Sequence, residues 1–131
     1  MFTESERAYL ASQHLARLAT VSPEGTPDVA VVGFSLEDDH FFVGGFRMMK
    51  TLKYRNVLNG NQYVALVVDD LPSDALPGDG KARGIKIHGT AEIVERGDAT
   101  FLVITPDHLW SWGIESAGGH GGTMRRAHRG S

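Results

Sequence analysis

The chain has no cysteine among its 131 residues. That absence removes disulfides, thiolate nucleophiles and every cysteine-ligated zinc or iron–sulfur centre, so redox chemistry here would have to come from a bound cofactor. Long apolar runs are also missing. No stretch approaches the roughly 18 residues of a membrane span, and the start, MFTESERAYL, lacks the basic residues and apolar core of a secretory leader. These features predict a soluble cytoplasmic protein with no membrane partner. An excess of positive charge is lacking as well: 13 Lys and Arg stand against 16 Asp and Glu, a formal net charge of −3. No broad basic face is available for counterion release, which argues against nucleic acid as a partner. The motifs G-x-G-x-x-G after a strand, G-x-x-x-x-G-K-[ST], H-E-x-x-H and G-x-S-x-G do not occur, so Rossmann, P-loop, zincin and serine-hydrolase readings lack their starting residues. The six histidines (14, 40, 88, 108, 120 and 128) show no ligand spacing, and no metal site is predicted. No residue stands out as catalytic.

The length suits one domain around one core. Thr3 and Glu6 form a capping box that starts a short helix running to about Gln13. From LARLATVSPEGTPDVAVVGFSLEDDHFFVGGF the pattern becomes short β-rich runs punctuated by SPEGTPD and EDD, which predicts three consecutive antiparallel strands. MKTLKYRNVLNGN restores helical spacing, with Leu52, Val57 and Leu58 facing inward and Asn59-Gly60 ending the helix. QYVALVVDD is a buried strand, followed by a Pro/Gly/Asp loop. RGIKIHGTAEIVE alternates as a strand that bends at a bulge at Gly89. TFLVIT supplies a sixth strand, and PDHLWSWGIE a last ordered segment with both tryptophans. The expected organisation is a barrel domain over 1–116 and a flexible Gly/Arg-rich tail over 117–131. The fold class is mainly β: a six-stranded antiparallel barrel with short helices.

Against the acidic balance, RMMKTLKYRNVLNGN places Arg47, Lys50, Lys53 and Arg55 within nine positions, and the nearest acids in sequence are Asp39 and Asp69. Lys50 and Lys53 lie three apart on one helical face beside the Thr51 hydroxyl, and helix-start N–H groups add partial positive charge. This arrangement suits a phosphate; a solvated helix face is the other reading. Phe46 and Tyr54 lie nearby, and the glycines of VGGF would let a flat ligand approach a strand. The later GGHGG lacks the strand and helix of a phosphate loop and reads as tail.

LARLATVSPEGTPDVAVVGF, then KTLKYRNV before an apolar strand, then RGIKIHGTAEIV, then SWGI, in that order and spacing, resembles the pyridoxamine 5′-phosphate oxidase-like split β-barrel family. Within it, the sequence is similar to the actinobacterial flavin/deazaflavin (F420)-dependent oxidoreductases, over roughly residues 2 to 115. The resemblance implies an FMN-binding-like split β-barrel and a homodimer with non-covalent FMN or F420 at the subunit interface. It also implies hydride transfer between the cofactor ring and a small unsaturated organic substrate. Carried over by position, Thr51 and Lys53 would hold the cofactor phosphate, Leu52 would contribute backbone, and Lys50 and Arg47 would assist. Val29, Ala30, Val31, Val32 and Gly33 would form the strand under the ring, with Arg83 near the cofactor. Trp110 or Trp112 would wall the pocket, or else pack in the core or interface. The sequence departs from its relatives in GKARG, where an aromatic often precedes Arg-Gly, and in DVAVVGF, where a proline is usual. A Gly/Arg tail follows SWGI, so the elements that close over a substrate in the family are either missing or supplied by Arg125, Arg126 and Arg129. The extra cations favour F420, whose lactyl-oligoglutamate tail carries carboxylates. The alternative is a non-catalytic protein of the same fold that binds, stores or carries flavin, F420 or haem.

Overall fold

The computed structural model describes residues 1–45, 47–76, 78–114 and 124–130. The elements are α1 (Glu4–Ala11), β1 (Leu15–Val21), β2 (Pro27–Gly33), β3 (Ser35–Glu37), β4 (His40–Val43), a 3₁₀ turn (Met48–Lys50), α2 (Leu52–Leu58), β5 (Tyr63–Asp70), β6 (Arg83–Arg96), β7 (Ala99–Trp112) and β8 (Met124–His128). The strands form one antiparallel sheet in the order β2-β1-β5-β6-β7-β4-β3, with β8 also on β7. Among the described residues, no helix is long and apolar enough to cross a membrane.

Alternation along the strands gives the sheet two distinct faces. One register row runs Ala30, Leu18, Leu66, Ile87, Leu109, Ala127 across β2, β1, β5, β6, β7 and β8. Its four large aliphatic residues are at most 1% exposed, each contributing about 1.5–3 kcal/mol through burial. Phe41 and Val43 extend this core opposite Ile104 and Leu102. The adjacent row, Val29, Ala19, Ala65, His88, His108, His128, lies on the outer face, because side chains one residue apart point to opposite sides.

Several expectations from the sequence hold in detail. The α1 capping box is complete: Glu6 N–H donates to Thr3 Oγ1 at 3.1 Å and Thr3 N–H donates to Glu6 Oε1 at 2.9 Å. The β6–β7 register shifts between His88 and Gly89. A Cβ at Gly89 would run into the Thr105 carbonyl, so the bulge requires glycine on steric grounds.

Other expectations need correction. The described residues form eight strands rather than six: β3 is an extra short strand, and β7 continues through Pro106 to Trp112. Within the expected tail, Met124–His128 form β8, pairing from Trp112↔Met124 to His108↔His128; residues 117–123 lie outside the described set. Leu52 and Leu58 are 45% and 57% exposed rather than inward. The inward positions of α2 are Asn56 and Val57 instead, because Asn56 finds a buried polar partner in Thr20.

Candidate functional site

The cationic segment folds as the 3₁₀ turn followed by α2. Met48, buried at 3% exposure, anchors the turn. Thr51 then caps α2 in extended conformation, accepting from Tyr54 N–H at 3.3 Å while its hydroxyl donates to the Met48 carbonyl at 2.7 Å. That hydroxyl has one proton, and the Met48 carbonyl already takes it. Further along α2, Asn56 Nδ2 donates to Thr20 Oγ1 at 2.9 Å in a buried contact that fixes the helix over β1.

This anchor sets the direction of Lys53. Lys53 precedes Asn56 by three residues and shares its face, and Thr20 is the register partner of Asp28 on β2. Lys53 therefore leans toward Asp28. Burial holds the Lys53 ammonium below the usual lysine range, and the Asp28 charge partly offsets that. No ion pair joins the two among the described residues, so the carboxylate acts through space rather than by contact. Lys50, Leu52 and Arg55 are exposed on the outside of the segment. Arg47 is exposed with φ 61°.

The strand predicted to lie under a ring divides between the two faces. Val29 and Val31 point outward, 67% and 64% exposed, whereas Val32 is buried and Ala30 half-buried on the core side. Gly33 shares the outer face with the two valines. Since β2 ends the sheet, its far backbone edge has no strand partner among the described residues. The glycines of VGGF differ from each other: the space above Gly44 holds the Phe101 ring, whereas Gly45 is open. Phe46 lies outside the described residues.

The structure does not bring Arg83 to this segment within one chain. Arg83 pairs with Asp70 at the end of β5, five residues beyond the Ala65 that pairs with Ala19, or about 17 Å along the strand. There its guanidinium donates twice to Asp70 (2.8 and 3.0 Å) and sits 5.0 Å from the Tyr9 ring centroid. Tyr9 Oη also donates to Asp70, at 2.9 Å. The Arg83 hydrogen bonds hold the Asp70 carboxyl below its usual range, and burial pushes the Tyr9 phenol up. This cluster ties α1 to the sheet.

The C-terminal arginines are also engaged. One Arg125 guanidinium nitrogen donates to both carboxylate oxygens of Glu6 (2.9 and 3.1 Å) and the other to the Met1 carbonyl at 2.9 Å. Arg129 pairs with Asp107 at 2.6 Å. Arg126 lies 6.0 Å from the Trp110 ring, with Lys86 at 4.5 Å and the His88 ring at 4.7 Å. Burial, with Lys86 and His108 nearby, holds His88 below the usual histidine range. His88 and His108 border an open groove of about 540 Å³ floored by Ala19 and Ala65 and flanked by Tyr63. A larger cleft, about 830 Å³, lies between α1 and β3, lined by Arg7, His14, Phe34 and Leu36, away from the cationic segment.

The sequence reading missed three features of this surface: Asp28 beside Lys53, the histidine row, and the Glu6–Arg125 contact. Each joins residues far apart in sequence. Strand alternation around EGTPD could have placed Asp28 on the core side of β2, but nothing local points it at α2.

The sequence model of a family described as pyridoxamine 5′-phosphate oxidase matches residues 2–112. No curated protein matches the chain by sequence. Among solved structures, a haem-binding protein of Mycobacterium smegmatis is 16% identical with a TM-score of 0.72, covering 98% of this chain; this chain spans 59% of that protein. A Lactobacillus delbrueckii protein named for pyridoxamine 5′-phosphate oxidase is 26% identical with a TM-score of 0.63, covering 82% of this chain and 92% of its own. An F420 reductase is 22% identical with a TM-score of 0.62, covering 82% of this chain and 98% of its own.

Proposed function

Because the chain belongs to the pyridoxamine 5′-phosphate oxidase family, we propose that it is a cytoplasmic oxidoreductase using F420 or FMN, acting as a homodimer with the cofactor at the subunit interface. The cofactor would pass a hydride between its ring and a small unsaturated organic substrate. One observation carries the reading: Lys53 is held by α2 against β2 with its ammonium partly desolvated, and among the described residues the Asp28 charge alone partly offsets that cost. A phosphate oxygen at the ammonium would relieve it through a charge-assisted hydrogen bond.

The residues fit such a group in part. Lys53 would bind the phosphate, with the exposed Lys50 beside it. Leu52 would offer backbone rather than side chain. Thr51 keeps its proton on the Met48 carbonyl, so its part is to hold α2 in place rather than to donate. Val29, Val31 and Gly33 give a flat outer strip against which a ring can lie. The exposed apolar residues of the outer face (Leu15 at 52%, Val29 at 67%, Val31 at 64%, Tyr63 at 68%) support its being covered by a second copy. Such a copy would keep water from the ring, and Arg83 or a tryptophan would reach the cofactor only from the partner. No side chain here is assigned a proton-transfer role.

Fluorescence titration of the purified protein with F420 and with FMN tests the reading. Tight binding of at least one is expected, and Lys53→Ala should weaken it by about 1–3 kcal/mol. An unchanged dissociation constant in Lys53→Ala would remove the phosphate assignment. The second reading, a non-catalytic protein that stores or carries flavin, F420 or haem, draws support from His88 and His108 at the groove, since imidazole is an iron ligand of haem. Tight cofactor binding without reduction of any unsaturated acceptor would favour it.

A further inference from the structure

We propose that Asp28 sets the charge that the Lys53 site accepts, favouring a phosphodiester with one negative charge over a phosphomonoester with nearly two. The inference rests on the reading that Lys53 holds the cofactor phosphate, and it bears on the choice between the two cofactors. FMN ends in a phosphomonoester, whereas the phosphate of F420 links its ribityl chain to the lactyl-oligoglutamate tail and is a diester.

The geometry comes from one register pair, one hydrogen bond and one helical spacing. Asp28 stands opposite Thr20 in the β1–β2 register. Thr20 accepts the buried hydrogen bond of Asn56, which fixes the rotation of α2. Lys53, one turn before Asn56, is thereby turned toward the same strand position. Asp28 makes no ion pair with Lys53 among the described residues and leaves its donors open. A phosphate bound to Lys53 therefore comes under the influence of both charges.

The consequence follows from electrostatics. Binding of an anion scales with its charge multiplied by the local potential, and Asp28 lowers that potential by a fixed amount. A monoester, with about 1.5 to 2 negative charges near neutral pH, loses nearly twice as much as a diester with one. If the carboxylate costs the diester about threefold in affinity across a partly solvated gap, it costs the monoester up to about tenfold.

The experiment compares wild type, Asp28→Asn and Lys53→Ala in titrations with FMN, F420 and riboflavin at one moderate salt concentration. Asp28→Asn is expected to tighten FMN up to about tenfold, F420 about threefold and riboflavin, which has no phosphate, not at all. A second readout needs no cofactor: in ¹³C-lysine-labelled protein, the NMR titration of Lys53 Cε should shift to lower pH in Asp28→Asn. Asp28→Ser should reproduce both changes if the isosteric variant folds poorly. If Lys53→Ala weakens FMN and F420 but Asp28→Asn leaves their ratio unchanged, the Asp28 inference is overturned and the phosphate reading stands. If Lys53→Ala alters neither, the phosphate reading fails and this inference with it.

Discussion

Replacing Arg125 by alanine should cost the protein about 2–3 kcal/mol of stability. Glu6 has no solvent exposure, and its carboxylate is held by Thr3 N–H at 2.9 Å, by the Ser111 hydroxyl at 2.5 Å, and by Arg125 at 2.9 and 3.1 Å. Removing one partner of a buried ion pair typically costs about 3–5 kcal/mol, because the other charge stays buried. Two facts bring the figure down. The Arg125 side chain is 31% exposed, so water screens the pair, and two neutral donors remain on Glu6. The loss of the Arg125 hydrogen bond to the Met1 carbonyl adds to the cost. Urea unfolding followed by circular dichroism measures the change as a lower midpoint at unchanged slope. Glu6→Gln in the Arg125→Ala background should recover part of the loss, since the uncompensated charge is then gone; the double-mutant cycle isolates that coupling. A loss below about 0.5 kcal/mol, or no coupling in the cycle, would refute the reasoning and leave β8 as an incidental strand.

Gly89→Ala should destabilise by about 3 kcal/mol or more and lower soluble yield, because the added methyl meets the Thr105 backbone, which cannot give way; thermal melts measure it. If the proposed homodimer forms through the exposed strip of β2, wild type should scatter as a dimer at micromolar concentration and Val31→Arg, which places charge on that strip, as a monomer with secondary structure retained; a monomeric wild type would remove the homodimer proposal. Stability should also fall in acid because of Asp70. Its folded pKa is depressed by Arg83, so its contribution is present above the ordinary carboxylate value of about 4 and is lost as pH drops below that value. Arg83→Ala should flatten this part of the stability–pH curve; an identical curve would show that the pair contributes nothing.

Features set by neighbouring residues were legible in the sequence. The α1 cap needs only Thr3 and Glu6, and the bulge announces itself by a lone glycine inside an alternating run. The length of β7 was hidden by Pro106, which reads as a strand terminator; it sits opposite Gly89 at the bulge, where the ladder is already broken and a missing N–H costs little. β8 was hidden because MRRAH carries almost no apolar signal: its inward residues are Ala127 against the core and Arg125 against Glu6. The inward face of α2 was misjudged because a polar residue, Asn56, took a core position that apolar spacing assigns to leucine. The cationic segment was visible as composition, but its electrostatic setting was not, since Asp28 and Lys53 meet only once β2 and α2 are packed on β1.

The Glu6–Arg125 contact spans 119 residues of sequence, and this has a temporal side. On a ribosome adding about 5–20 residues per second, α1 has been made some 6–24 s before Arg125 exists to hold it. During that interval the Glu6 carboxylate has no cation from β8 to offset its burial, and α1 has only its apolar contacts and the Tyr9–Asp70–Arg83 cluster to hold it on the sheet. Closing so long a loop is also costly in chain entropy, so α1 and β8 should be the last parts to lock in refolding and the first to loosen. Amide exchange in α1 would then report whether the whole sheet has been completed.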